Sequence, residues 1–345
     1  MASVQKILDM GTGSAGATIK PSYPPSSDTT PVVEEATKRK KTKKIDPSII
    51  TRFDVTPHPE KDTDVWCPHF MEFKPFNGCP FKCAWCYLQG TFRWPAYKKL
   101  DDGTHIAPRL KDEERIVKSL LAYFEKNKEP SLLNSGEVSD SFAFPEFMFE
   151  KIIPLFVSRE TNPHRHKLLI LTKHTVGARL AEIDAQDVVI YSASLNAYPI
   201  AERWEIAPHP KERIKAAKAV SDAGYEVRIR IDPMVPAEGY KEGYKELVDD
   251  LMDALIPSRI TLGSLRGLQS TINNSSDKSW VEYLGERSNW GRKIPLETRK
   301  EMYLSVINYL REKYDYQDVA LCKETLEMWN EIGMDWKKIK CNCIR

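Results

Sequence analysis

The feature that most restricts the fold is a serial alternation, from residue 66 onward, of short apolar, β-branched runs with helix-like segments. The runs are "HFMEFKPF" (69–76), "PSLLNS" (130–135), "KLLILTK" (167–173), "DVVIYSAS" (187–194), "EVRIRIDPMV" (226–235) and "SRITLGSL" (258–265). Between them lie "DEERIVKSLLAYFEKNKE", "FPEFMFEKIIPLFVSRE", "VGARLAEID", "KERIKAAKAVSDAG" and "YKELVDDLMDALI", with apolar residues returning every three or four positions, as at Ile116, Leu120, Tyr123 and Phe124. Six such units in series predict an α/β fold, a parallel sheet covered on its outer side by helices. An open or closed barrel is the natural solution, and in barrels of this kind chemistry sits at the carboxyl ends of the strands. A long helix, "LETRKEMYLSVINYLREKY", a short strand at "DVALC" and the helix "KETLEMWNEIG" follow the last unit.

The first 45 residues do not share this pattern. They are rich in Ser, Thr, Pro and Gly and end in a run of six cations from Lys38 to Lys44, so they lack the apolar surface to order themselves and read as a disordered basic tail. Residues 1–44 carry a net charge of +4 in a chain of +2, which leaves the folded part at −2 and without the charge signature of a nucleic acid partner. The basic run itself reads either as a phosphate contact or as a solvated linker. No apolar run reaches the roughly 18 residues of a membrane span, and the start of the chain lacks a signal peptide's pattern. A cytoplasmic protein with no membrane partner is therefore expected. Seven cysteines, an odd and clustered set, suit ligands in a reducing compartment better than a disulfide framework.

Just past the first apolar run, "CPFKCAWCYLQG" (79–90) places Cys79, Cys83 and Cys86 within eight positions, with Trp85 before the last thiol and Tyr87 after it. A structural zinc closes its tetrahedron with four protein ligands, whereas a site that must also hold a cofactor leaves a position free. A cubane iron–sulfur cluster held by three thiolates has one iron open. The residues alone therefore leave two readings, an open cluster or a zinc knuckle completed by Cys67 or a more distant thiol.

The spacing Cys-x3-Cys-x2-Cys, with an aromatic residue before the last Cys, resembles the cluster loop of the radical S-adenosylmethionine (SAM) enzymes. "FNGCPFKCAWCYLQGT", "RIRIDPMVP", "RITLGSLR" and "VALCKET" resemble, in order over about residues 66–325, the blocks of the spore photoproduct lyase-like members of that superfamily. The resemblance implies a partial (β/α)6 barrel, here residues 46–315, with an extension at 316–345. It also implies a [4Fe–4S] cluster on Cys79, Cys83 and Cys86, whose open iron binds the amino and carboxylate groups of SAM. Reduction, by a donor such as flavodoxin or ferredoxin, cleaves SAM to methionine and a 5′-deoxyadenosyl radical that takes a hydrogen atom from the substrate. SAM contacts are implied at Trp85 and Tyr87 of the loop and at Gly136, Glu137, Ser139 and Asp140 of "NSGEVSDS". They are implied as well at Lys173, at Ser194 with Asn196, and at Arg230. A small residue lets the backbone approach and a carboxylate accepts from an ammonium, which suits Gly136 and Glu137; a Lys suits a carboxylate. Ser139 and Asp140 also fit a turn or a helix N-cap before "FPEFMFEK", and Ser194 a local hydrogen bond at a strand end. Of Arg228 and Arg230, one is expected to face the interior, with Arg230 taken as that one.

One departure bears on mechanism. Where the lyase that repairs spore DNA has a cysteine, in Cys-Thr-Ser-Asp, this chain has Glu137 in "EVSD", and a carboxylate cannot give up a hydrogen atom as a thiol can. Cys322, Cys341, Cys343 and Cys67 supply further thiols, read as radical quenchers, as a second metal or cluster site, or as incidental. For substrate, "TFRWPAYKK" (91–99) and "STINNSSDKSWVEYLGERSNWGRK" (270–293) interleave rings and cations suited to a flipped nucleotide. The favoured function is a radical SAM enzyme acting on a nucleobase, in DNA modification or repair. The alternatives are a radical SAM enzyme for a peptide or small metabolite, and a non-catalytic metal-binding protein associated with nucleic acid.

Overall fold

The computed structural model describes residues 44–54, 65–92, 107–288 and 290–345. The basic tail up to residue 43 and the ring-and-cation segment from Arg93 to Lys99 lie outside these residues.

An eight-stranded curled sheet forms the frame. Its strands are β1 (Ile50–Phe53), β2 (Phe70–Phe73), β3 (Leu132–Asn134), β4 (Lys167–Thr172), β5 (Val189–Leu195), β6 (Glu226–Met234), β7 (Arg259–Ser264) and β8 (Val319–Leu321), neighbours in that order. All pairs from β2 to β8 are parallel; β1 alone pairs antiparallel, on β2. The six expected strands are β2 to β7, so the partial (β/α)6 barrel stands, widened by one strand at each edge. β5 is buried along its whole length, as a strand covered on both faces must be.

Helices α1 (Glu113–Lys126), α2 (residues 145–157), α3 (Pro210–Asp222), α4 (Tyr240–Ala254) and α5 (Leu296–Tyr314) supply the outer layer. α1 starts where the Asp112 carboxylate accepts from the Arg115 amide (2.8 Å), with Glu113 and Glu114 in its first turn and Lys126 in its last, each placed to suit the helix dipole. α2 carries a π turn at Met148–Ile152, just ahead of Pro154, which has no N–H to give the preceding turn. The segment "VGARLAEID" folds as a 3-10 helix, Thr175–Glu182, rather than an α-helix. Gly177 explains the tight fit: a Cβ there would strike the Tyr191 ring.

The core lies between sheet and helices, with Leu168, Ile170, Ile229, Ile260 and Leu262 of the strands against Leu180, Ala217, Leu247, Leu251 and Val306 outside them, all at 1% exposure or less. Burial on this scale is worth about 1.5–3 kcal/mol per large apolar side chain. Among the described residues no helix is long and apolar enough to cross a membrane.

Residues 316–345 are built into the barrel. β8 completes the sheet, and residues 341–345 run back against the strands on its inner side. There the buried Asn342 reaches three of them, donating to Ser192 Oγ (2.9 Å) and the Ile229 carbonyl (3.0 Å) and accepting from Thr261 Oγ1 (2.8 Å).

Candidate active site

The carboxyl ends of β2 to β8 open onto a cavity of about 480 Å³, within the range of small-ligand sites. Cys79, Cys83, Cys86, Trp85 and Tyr87 line one side of it, and Gly136, Glu137, Ser139, Asp140, Lys173, Ser194 and Arg230 line another. Of the expected SAM contacts only Asn196 is elsewhere. Its amide donates to the Pro233 carbonyl (2.8 Å) and accepts from the Tyr244 hydroxyl (2.9 Å), so it is a bracing residue behind the strand end.

The thiol loop is held from outside. Lys82 and Cys83 pair antiparallel with Ile206 and Glu205, and Ala84 N donates to the Trp204 carbonyl (2.8 Å). Gln89 donates to the Cys83 and Ala84 carbonyls (3.2 and 2.9 Å), while Trp85 packs on Trp204 with centroids 5.6 Å apart. Burial pushes the Cys83 thiol up to about 12 against the opposing pull of Lys173; Cys79 and Cys86 are also raised by burial. In the metal-free protein these thiols keep their protons, and ligation replaces them.

Lys173 sits at the mouth of β4, its Nζ 3.7 Å from Cys83 Sγ and bonded to Glu205. Glu205 is fully buried and also accepts from Arg213 (2.8 Å). Burial alone raises a carboxyl, but Lys173 and Arg213 hold Glu205 down to about 2. Asp140 accepts from Phe142 N (2.9 Å), Lys173 N (2.8 Å) and Thr172 Oγ1 (2.7 Å), so it fixes a turn and is not the N-cap of α2, which is Phe144 with no side-chain cap bond. Ser139 Oγ is different: it is buried, its residue lines the cavity, and among the described residues it has no hydrogen-bond partner, which makes it a group suited to bonding a ligand. Gly136 must be glycine, since a Cβ would lie 2.5 Å from that of Leu171.

Arg230 and Arg228 both point inward. Residues two apart share a face of a strand, so the expectation that one of them faces outward is corrected. Arg228 anchors residues 342 and 344 through their carbonyls (2.7 and 2.6 Å). Arg230 lines the cavity, bonded to Asp232 (2.9 Å) and to Cys322 Sγ (2.9 Å), with Glu137 at 4.0 Å. Behind Arg230 and Glu137 a second cavity, of about 10 Å³, is lined by Cys67, Cys322, Cys341 and Cys343 together. Cys67 is thus placed with those thiols and apart from the Cys79–Cys86 loop, which removes it as the fourth ligand of a zinc knuckle there. Among the described residues no three His, Cys, Asp or Glu are arranged to hold a single metal ion. Burial raises Cys322, while Cys343 is lowered, first by the bond it receives from Cys341 and further by Arg230.

Sequence reasoning missed Glu205, Arg213, Asp232, Arg266 and Lys323. Asp232, Arg266 and Lys323 stand inside the quoted blocks "RIRIDPMVP", "RITLGSLR" and "VALCKET", a signal that was present; Glu205 and Arg213 become a site only in three dimensions. Trp280 of the long polar segment is fully buried and bonds the Asp277 carbonyl, so it packs and does not stack on a ligand.

A family model described as spore photoproduct lyase matches residues 73–266, more than half of the chain and all of the cavity wall from the thiol loop to Arg266. The chain belongs to the spore photoproduct lyase family. Among solved structures, a mutant spore photoproduct lyase with bound AdoMet and dinucleoside spore photoproduct is similar at 18% identity and a TM-score of 0.57, over 74% of this chain and 76% of that one. A spore photoproduct lyase complexed with dinucleoside spore photoproduct is similar at 17% identity and a TM-score of 0.56, over 92% of both chains. At these identities the likeness is one of fold. No curated protein matches the chain. As a member of this family the protein is a radical SAM enzyme, and its cofactors are a [4Fe–4S] cluster and SAM. The residues on the cavity wall fit those groups: three loop thiols, a lysine beside one of them and an orphaned serine hydroxyl.

Proposed function

We propose that this enzyme takes a hydrogen atom from a nucleobase-containing substrate, as a step of nucleic acid modification or repair. Cys79, Cys83 and Cys86 hold the cluster. Gly136, Glu137, Ser139, Lys173, Ser194 and Arg230 orient SAM, with Trp85 and Tyr87 closing the loop side. When bound, the pair supplies a 5′-deoxyadenosyl radical. The protein's own part is positional: Glu205 and Arg213 fix Lys173, the Glu137 backbone accepts from the Tyr87 hydroxyl, and Asp140 ties the 139–142 turn to β4.

The observation that carries the reading is that one cavity joins the three-thiol loop to a wall of rings and cations: Phe53, Trp290, Arg266 and Lys323. Rings of this kind stack on bases and the cations suit the adjoining phosphates. Glu137 in place of a thiol favours modification over direct repair. Seven free cysteines suit a cytoplasmic, reducing setting, with an electron donor of flavodoxin or ferredoxin type.

Anaerobic reconstitution with iron and sulfide, then SAM, reductant and DNA, RNA or nucleosides, tests the proposal. Substrate-dependent 5′-deoxyadenosine carrying deuterium from a deuterated nucleic acid is expected. Deuterium taken only from a deuterated peptide or metabolite overturns it.

A further inference from the structure

Lys323 lies two residues past the end of β8 and lines the cavity, on the wall formed by Phe53, Trp290 and Arg266. Its backbone lies in the left-handed region, at φ 51°. A lysine gains nothing locally from that conformation, and such residues persist only where their surroundings force them. Here both flanks are pinned. On one side Arg266 donates to the Cys322 carbonyl (2.9 Å) and Cys322 N to the Leu262 carbonyl (2.7 Å). On the other, Trp66 N donates to the Glu324 carbonyl (2.8 Å), and the buried Glu324 carboxylate takes Arg299 (2.6 Å), Tyr303 (2.7 Å) and Ser264 (2.9 Å). The chain is therefore held so that the Lys323 side chain is delivered to the cavity.

Its ammonium lies 5.1 Å from the centroid of Phe53 and 5.3 Å from that of Trp290. Among the described residues it has no carboxylate partner and no hydrogen-bond acceptor, whereas the neighbouring Arg230 and Arg266 share Asp232 (2.9 and 3.6 Å). Asp232 and the Cys322 thiol feel its charge without bonding it, so a lysine ammonium with three donors, two ring faces beside it and no direct acceptor among the described residues is placed to take an anion.

Resting on the nucleobase reading above, we infer that Lys323 binds the phosphodiester next to the reacting base, with Phe53 and Trp290 packing against the adjoining nucleotide. The enzyme thereby selects phosphate-linked nucleic acid over free nucleosides. A peptide carboxylate would use the charge but leave the two rings without a flat partner; a base beside its phosphate uses both.

The test is binding to the holoenzyme, with cluster and SAM but no reductant, of the thymidine dinucleotide TpT and of its uncharged methylphosphonate analogue. The expected result is tighter binding of TpT by roughly ten- to a hundredfold, the worth of one charge-assisted hydrogen bond. Lys323→Gln removes that preference and Lys323→Arg keeps it. Equal binding of both probes by the wild type, or a preference that survives Lys323→Gln, overturns the phosphate subsite and leaves the nucleobase reading standing. Binding of neither probe, or Lys323-dependent capture of a short acidic peptide instead, overturns the nucleobase reading itself.

Discussion

Glu205 lies wholly inside the protein with two cations on it, Lys173 and Arg213, and the three groups form the rigid base under the thiol loop. Removing its charge leaves Arg213 and Lys173 buried without their counter-charge, Arg213 keeping only the Pro208 and Ser194 carbonyls, and breaking such a buried pair costs about 3–5 kcal/mol. Glu205→Gln is expected to lower the urea midpoint accordingly. The wild type should also lose more stability in acid than the variant, in which the other lowered carboxyls, such as Asp46 and Asp249, still give an acid limb. With a folded value of about 2, Glu205 contributes fully above the ordinary carboxylate range near 4.5 and loses its contribution as pH falls from there toward 2. At Lys323 the backbone can be tested apart from the charge. Lys323→Asn and Lys323→Val both remove the ammonium, but Asn tolerates the left-handed region and a β-branched residue does not, so the Val variant should be less stable by about 1–2 kcal/mol in urea titrations. The contrast between these residues and the thiols explains what was readable. Cys79, Cys83, Cys86, Gly136 and Ser139 announce themselves because their chemistry is carried by short spacings. Glu205 and Arg213 acquire theirs only once Lys173, 32 positions before Glu205, is brought against them, and Lys323, although inside "VALCKET", acquires its setting from Phe53 and Trp290. The inward orientation of Arg228 was legible from strand period alone and was misread.

At the level of elements, the strands were visible as short runs rich in apolar, β-branched residues, interrupted by Glu72 in β2 and by the arginines in β6, and β2 to β7 were all found that way. β1 escaped because "ITRF" is short, half-exposed and follows a run of lysines, so no periodicity marks it. The hairpin at Glu286–Ser288 and Gly291–Lys293 escaped for a related reason: its residues are polar, and its place is set by pairing with Arg266–Gly267. The start of β4 offers a test of how one element is secured. His166 accepts from Ser131 N at Nδ1 (3.1 Å) and donates from Nε2 to the Asn127 carbonyl (3.0 Å), tying the end of α1 to β3 and β4. That arrangement needs a neutral ring. Burial lowers the His166 pKa, with smaller contributions of the same sign from His164 and Arg345 and an opposing one from the Asn127 carbonyl. Because the unfolded chain then binds the extra proton first, stability should be full above about pH 6.5 and fall below it. Urea midpoints at pH 7.5 and 5.5 should differ more for the wild type than for His166→Gln. His174, also lowered by burial, contributes to the same limb and sets what remains in the variant.

The molecule as a whole is an open barrel, and an open barrel has an inside that must be filled. Side chains fill most of it, but between β5, β6 and β7 the filling is residues 341–345. Asn342 satisfies Ser192, Thr261 and the Ile229 carbonyl; Arg228 and Arg259 in turn satisfy the carbonyls of residues 341, 342 and 344. This segment also seals the thiol cavity, since Cys341 and Cys343 form part of its wall and Cys343 lies 3.6 Å from the Asn134 amide that supports Glu137. Two consequences separate a structural plug from a loosely laid strand end. Asn342→Leu removes the side-chain bonds to Ser192 Oγ, the Ile229 carbonyl and Thr261 Oγ1, leaving Thr261 Oγ1 only the residue 342 amide (3.0 Å), and with about 1–3 kcal/mol for each buried group left unsatisfied it should be destabilising in urea. Removing residues 341–345 should open the cavity from within: Cys67 and Cys322, each 7% exposed in the intact protein, become reactive to a maleimide under native conditions, while in the full chain they stay protected. Continued protection of both thiols in the truncated protein would show that the barrel closes without this segment.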